Sequence, residues 1–177
     1  HVFANNDEDL YFTQGYLTST LRLWQMDFLS YASAGRLSEI FGKQYLDYDR
    51  MQRRLGMLAA AEASLQKIEE DTLTKKILDA YTKGVNAYIK QLSYTQYPIE
   101  YKLLGYKPEP WTNLKSALIM KYMSNMLSGY EQDLRMTYIL MALGKKDFNV
   151  LYPDYNPYAS NSSDTLNLNK LTIDKLP

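Results

Sequence analysis

The chain has 177 residues, enough for one domain with a moderate core, and its 46% hydrophobic content excludes a chain that is disordered by composition. Its 20 basic residues are balanced by 20 acidic ones, so it lacks the positive excess with which a nucleic-acid binder meets phosphates. There is no cysteine, hence no disulfide and no thiolate metal site, and no apolar run approaches the length of a membrane span.

Seventeen tyrosines stand out. Tyrosine is amphipathic and suits half-buried surfaces and interfaces. The opening HVFANNDEDL lacks the basic-then-apolar start of a signal peptide. The expectation is either a cytoplasmic protein or a sequence that begins after a cleavage.

His1–Ala4 is compatible with a short strand. Asn5 to Glu8 then offers capping residues and negative charge, as a helix start requires. Leu10, Leu17, Leu21, Trp24 and Phe28 follow at spacings of seven, four, three and four, which is one face of a helix. Tyr16, Leu23 and Met26 lie away from that face. A helix apolar on two sides is usually buried on both, so a partner surface is one reading and a tyrosine-rich core the other. Gly15 sits inside this helix, where it suits close approach of a neighbouring element.

Gly35 marks a break, and Arg36 to Phe41 reads as a short helical turn closed by Gly42. Asp47 to Ile68 is predicted as one helix, centred on the strong helix formers of MLAAAEASL. Asp71 or Thr72 caps the next, whose stripe is Ile77, Leu78, Tyr81, Val85, Ile89 and Leu92. SYTQYP breaks the period. Tyr101–Gly105 is a further short helix, and YKPEPWT is an extended turn, because each proline restricts the residue before it.

Thr112 or Asn113 caps a helix that runs to about Ser128, and Gly129 interrupts it. Glu131 to Leu143 resumes helical spacing, with Leu134, Tyr138 and Met141 on one side, and Gly144 ends it. Beyond this, LYPDYNPYASNSSD has the proline and serine content of a linker. The organisation is a mainly α domain over residues 1–150 and an irregular segment over 151–177, with no internal repeat.

A self-contained catalytic site is hard to build from these residues. The single histidine is His1, so a Ser-His-Asp triad within the chain is not expected. Phosphate-loop, dinucleotide, GxSxG and HExxH motifs are absent. The acidic groups Asp7-Glu8-Asp9, Asp47 with Asp49, and Glu69-Glu70-Asp71 read as helix-end charges. Glu131 and Asp133 follow a bend, where hard oxygens suit Ca²⁺, but two carboxylates fall short of the about six to eight ligands it takes.

The ordered elements Ala4-Asn5, Asp9-Leu10, Phe12, Gln14-Gly15-Tyr16, Arg22-Leu23-Trp24-Gln25-Met26 and Gly35-Arg36-Leu37-Ser38-Glu39 resemble the N-terminal signature of the penicillin acylase family. Asp49 with Arg53, Leu55-Gly56, Ala80-Tyr81, Gly84-Val85-Asn86-Ala87, Glu100-Tyr101, Leu104-Gly105 and Pro108-Glu109-Pro110-Trp111-Thr112 continue it to about residue 150. HVFA is similar to the family's opening Gly-Val/Ile-Pro-His-Ile-Tyr-Ala segment, and the missing Gly-Val-Pro suggests that the sequence starts inside the natural α chain.

Members of that family are N-terminal-nucleophile amide hydrolases, cut autocatalytically into a small α chain, a removed spacer and a large β chain. The resemblance is to the α chain. It implies an obligate β-chain partner with an N-terminal serine nucleophile, no catalytic residue in this chain, and a mainly α subunit wrapping an αββα core, with any N-terminal strand joining the partner's sheet. It also implies a periplasmic location after signal-peptide removal, a small-molecule amide substrate, and no organic cofactor.

In penicillin G acylases a Met-Ala-Asn-Arg-Phe-Ser stretch forms one wall of the acyl pocket. Met123-Ser124-Asn125-Met126-Leu127-Ser128 is similar to it without gaps, so the resemblance places Met123, Met126 and Leu127 at the acyl group. Met123 and Leu127 share one helical face, and ordinary core packing explains them equally well. Methionine in place of the family's arginine implies a preference for apolar over charged acyl groups. The same match places Asp133 on a glutamate that binds a structural Ca²⁺ bridging the chains in several members.

Three readings stay open: a penicillin-acylase-like amidase subunit, an acyl-homoserine-lactone acylase of the same family, and a non-catalytic helical interaction module.

Overall fold

The computed structural model describes residues 2–128 and 132–153, which fall into two compact units, one ending at Ser128 and one beginning at Gly129. Among the described residues every regular element is helical. The first unit contains α1 (Asp7–Ala34), α2 (Ser38–Phe41), α3 (Leu46–Arg54), α4 (Met57–Glu70), α5 (Thr72–Gln91), α6 (Ile99–Leu104) and α7 (Asn113–Leu127), with single 3₁₀ turns at Lys43–Tyr45 and Tyr94–Gln96. The mainly α expectation holds.

Helix α1 is the spine. Asn6 caps it by accepting the Asp9 amide at 2.9 Å, and Asp7, Glu8 and Asp9 supply the negative first turn. Gly35, at φ 65°, closes it. Helix α5 lies along α1 at very close range. A Cβ on Gly84 would stand 2.9 Å from the Tyr16 nitrogen and the Phe12 carbonyl carbon, and one on Gly15 would stand 3.0 Å from the Tyr81 carbonyl carbon. Each glycine admits the backbone of the other helix, the close approach expected of Gly15.

This contact inverts the predicted faces of α1. Leu23 and Met26 are buried, Leu23 at 3% exposure, whereas Leu21 is 81% exposed and Leu10 and Leu17 are also open. Tyr16 turns toward α5, its hydroxyl accepting from Gln91 Nε2 at 2.7 Å and its ring meeting Tyr88 edge-on. Leu23 and Met26 are therefore inside with Tyr16 half-buried, and three of the five residues on the predicted face are exposed. The small residues Gly15 and Ser19 decide the matter, because they let α5 approach on their side. A kink at Arg22 (φ −145°, ψ 25°) then separates Leu17 and Leu21 from Trp24 and Phe28. The latter two stack at 5.3 Å and are half-buried.

Two other expectations change. The predicted helix over 47–68 is two helices, α3 and α4, because Gly56 takes φ 71° between them, a left-handed conformation that breaks the helical ladder. Val2–Ala4 forms no strand here, and among the described residues no neighbouring strand offers its edge.

Three apolar clusters fill the first unit. Ala34, Ala61, Ala117 and Leu118 join α1, α4 and α7. Met26, Val85 and Trp111 join α1 and α5 to the turn before α7. Tyr31, Ala32 and Leu37 gather Phe28, Phe41, Tyr45 and Tyr48 around α2.

The second unit is described over residues 132–153 and consists of α8 (Asp133–Leu151). Gly144 (φ 74°, ψ 160°) breaks its geometry where the sequence suggested an end, but helical structure resumes to Leu151. Leu134, Tyr138 and Met141 share a face and are exposed. Most of the segment 151–177 and Gly129 lie outside the described residues. No described helix is long and apolar enough to cross a membrane.

Candidate functional site

The extended turn YKPEPWT is held in place by side chains. Asn86 on α5 accepts the Trp111 amide at 2.8 Å and donates to the Trp111 carbonyl at 2.9 Å, so one side chain satisfies both backbone groups. Asp79 on α5 accepts from Asn113 Nδ2 at 2.7 Å, and Thr82 donates to Asn113 Oδ1 at 2.6 Å. Thr112 caps α7 through the Lys115 amide. The start of α7 is thereby aimed across α1.

Beneath this turn lies a buried charged network. Asp27 is 2% exposed, and its Oδ1 meets Lys115 Nζ at 2.8 Å while its Oδ2 accepts from the Tyr101 hydroxyl at 3.2 Å. Lys115, at 7% exposure, also reaches Glu109 Oε2 at 3.2 Å and stands over the Tyr31 and Trp111 rings. Glu109 continues to Arg36 at 3.6 Å, and Arg36 forms a two-pronged contact with Glu39 at 2.9 and 2.7 Å.

Burial pushes the Asp27 carboxyl above its ordinary value, against the pull of Lys115 and Tyr101. Glu109 is also desolvated, but the Tyr31 hydroxyl, Lys115 and Arg36 outweigh that and hold it below the usual carboxylate range. The Tyr101 hydroxyl is pushed up by burial and by the neighbouring Asp27 charge.

Spacing rules did not single out Asp27 or Lys115. The available signals were a carboxylate four residues after the buried Leu23, and a cation in the first turn of a helix, where the macrodipole disfavours it.

The predicted acyl-pocket residues sit at the far end of α7. Met123, Met126 and Leu127 are all exposed, Leu127 at 79%. They form an open apolar end with Met120, not core packing within this unit. Asp133 opens α8 and is exposed, and its backbone carbonyl accepts from Thr137. Among the described residues no three His, Asp or Glu side chains come together as a cation site, so these residues do not build a Ca²⁺ site by themselves. Glu131 and His1 lie outside the described residues.

The other predicted acidic groups serve helix ends and ion pairs. Asp49 caps α2 across space, accepting the Leu37 and Ser38 amides at 2.8 Å each. Asp71 caps α5 through Thr74, Asp47 pairs with Arg50, Glu70 with Lys67, and Glu8 with Lys76 of α5.

Two further surfaces are open and apolar. A cleft of about 340 Å³ is lined by Tyr11, Ile68, Ile77, Leu78, Tyr81 and Ile119. A shallower groove runs along Leu10, Leu17 and Leu21 of α1.

A sequence model of the penicillin amidase family matches residues 1–163. The chain belongs to the penicillin amidase family. Its relatives include the Penicillin acylase 2 proenzyme of Pseudomonas sp. (strain SE83), 34% identical over 121 residues, which is 68% of this chain and 15% of that protein. Penicillin G acylase of Escherichia coli is 27% identical over 82% of this chain and 18% of its own length. Acyl-homoserine lactone acylase QuiP of Pseudomonas syringae pv. syringae (strain B728a) is 34% identical over 72% of this chain and 15% of its own length. A solved structure, thermostable penicillin G acylase from Alcaligenes faecalis, superposes with TM-score 0.75 at 26% identity, covering 92% of this chain and 90% of that one.

The chain thus spans about a fifth or less of the length of the curated relatives it matches. Within the penicillin amidase fold, the motif residues quoted from the sequence gain a physical role. Tyr101, Glu109 and Trp111, distant in sequence, surround Asp27 and Lys115, and Arg36 and Glu39 extend the contacts outward from Glu109.

Proposed function

We propose that this chain is the α subunit of an amidohydrolase that cleaves a linear amide of an apolar acyl group, with the nucleophile on a partner chain. The family match over residues 1–163, together with superposition on a solved chain of nearly equal length, carries this reading. The proenzyme relative supports a partner cut from one precursor. The described residues offer no triad, which fits a nucleophile elsewhere.

In this reading the partner's N-terminal serine attacks the amide carbonyl carbon. Its Oγ forms the new C–O bond while the hydroxyl proton passes to the serine's own α-amino group, whose pKa lies near neutrality. Donors on the partner stabilise the tetrahedral oxyanion. Collapse breaks the C–N bond, and the amine leaves with a proton from the α-ammonium. Water then attacks the acyl ester, releasing the acid and restoring the serine.

Met123, Met126 and Leu127 supply part of the acyl wall. Their exposure at the end of α7 supports this, because a wall completed by a second chain is open when this unit stands alone. The absence of a cation among these three favours apolar acyl groups. Asp133 contributes one oxygen to a structural Ca²⁺ otherwise held by the partner, and the location is periplasmic. Both follow from the family resemblance.

The test is intact-mass analysis and assay of the purified protein. A larger second chain beginning with Ser and hydrolysis of uncharged acyl anilides are expected, with calcium near one ion per heterodimer. A single non-hydrolytic chain would favour an interaction module instead, and a clear preference for dicarboxylic acyl groups would overturn the apolar-pocket reading. A second reading, cleavage of N-acyl homoserine lactones, is favoured by relatives carrying that name, one of which aligns with 97% of this chain. The same purified protein offered N-acyl homoserine lactones distinguishes the two.

A further inference from the structure

Helix α7 packs on α1 and α4 chiefly through its first half. Its first half is buried at Lys115, Ala117 and Leu118, and two side-chain contacts fix it to α1: Lys115 Nζ to Asp27 Oδ1 at 2.8 Å, and Ser33 Oγ donating to the Leu118 carbonyl at 3.0 Å. Past Ile119, Met120, Met123, Met126 and Leu127 are exposed, while Tyr122 is half-buried. Within this unit the second half extends beyond that packing, so its direction is set by how the first half is seated.

Simple geometry gives the leverage. Leu127 lies twelve residues beyond Lys115, about 18 Å along the axis at 1.5 Å per residue. A tilt of about 5° at the anchor moves Leu127 by about 1.5 Å, and misplacement on the order of 1 Å matters strongly for a bound, reacting group. The ammonium of Lys115 resists such a tilt, because it is held by Asp27, by Glu109 Oε2 at 3.2 Å, and by the flanking Tyr31 and Trp111 rings. Tyr101 and Arg36 in turn hold the two carboxylates.

We propose that Asp27 and Lys115, braced by Glu109, are positioning residues that set the orientation of α7 and thereby the acyl selectivity of the assembled enzyme. This rests on the reading of Met123–Leu127 as acyl wall and adds a determinant about 18 Å from it. The charges act on orientation more than on stability, since buried ion pairs replaced together by groups of similar volume often leave a fold as stable as before.

The experiment uses the whole heterodimer carrying the paired replacement Asp27→Asn/Lys115→Met, which removes both charges and nearly conserves volume. Rates on acetyl, hexanoyl and decanoyl p-nitroanilides are compared with wild type, alongside Tm. The single Lys115→Met variant, which leaves Asp27 buried without its cation, is the destabilised comparison, and Leu23→Ala loosens the same unit with both charges in place. The expected result is a Tm near wild type for the paired variant and a change of at least about fivefold in the decanoyl-to-hexanoyl ratio of kcat/KM, carried mainly by KM. A ratio unchanged within about twofold overturns the proposal, as does an equal change in Leu23→Ala, which would assign the effect to loss of stability. If the wild-type heterodimer cleaves no amide, the acylase reading itself fails and the proposal falls with it.

Discussion

Replacing Gly84 with alanine tests the helix contact on which the first unit is built. In an exposed helix this change stabilises by about 1 kcal/mol. Here the new methyl would meet the Tyr16 nitrogen and the Phe12 carbonyl carbon at 2.9 Å, and the Phe12 oxygen closer still. These are backbone atoms of α1, so no side chain can swing aside. Relief requires α1 and α5 to part by about 0.5–1 Å, an overpacking cost at or above the upper end of about 1–3 kcal/mol. The net effect is a loss of about 2 kcal/mol.

Hydrogen exchange on the whole protein reads this locally. Amides of α1 and α5 should open about 30-fold more readily, while those of α8 stay unchanged. Gly15→Ala, which meets the Tyr81 carbonyl carbon at 3.0 Å and its oxygen closer still, should behave alike. Because one separation of the helices relieves both, the double variant should lose clearly less than the sum. Net stabilisation by Gly84→Ala, or strict additivity of the two, would refute the contact.

Leu23→Ala should cost about 2–5 kcal/mol in urea denaturation, whereas Leu21→Ala, on the open face of the same helix, should stay within about 0.5 kcal/mol unless a partner covers it. Asn86→Ala leaves both backbone groups of Trp111 without partners and should cost about 2–3 kcal/mol, with Trp111 fluorescence reporting release of the turn. Asn86→Asp keeps the acceptor and should cost less. The Asp79 carboxyl is held below its ordinary value, chiefly by its hydrogen bond from Lys75 and then by Asn113. The unfolded chain then binds the proton more readily, so this stability is present above about pH 3.8 and is lost as pH falls through the lower folded value. Asp79→Asn should therefore flatten the acid side of a stability-versus-pH curve, and an unchanged slope would count against that ion pair.

Much of the local structure was legible in the chain, because helix signals are local. Asn6, Asp71 and Thr112 cap where polar residues precede apolar periods, and Gly35 stops α1 at φ 65°. The resemblance quoted from Ala4 to Thr112 reached the family before any coordinates did. Asp49 shows the limit. Its type marked it as a capping residue, but the helix it caps begins eleven residues earlier, a pairing that no local window contains.

What only the tertiary structure decided is which side of each element faces inward and which charges meet. Two apolar faces on α1 are equivalent to a periodicity count, but Gly15 and Gly84 break the tie by letting two backbones meet. Gly56 was visible as a residue, yet its left-handed backbone depends on where α3 and α4 must go. Asp27 and Lys115 are 88 residues apart and become one ion pair only when α7 crosses α1. Composition and spacing set propensities residue by residue. Packing then selects among them, because close approach and desolvation belong to pairs of surfaces and not to either one alone.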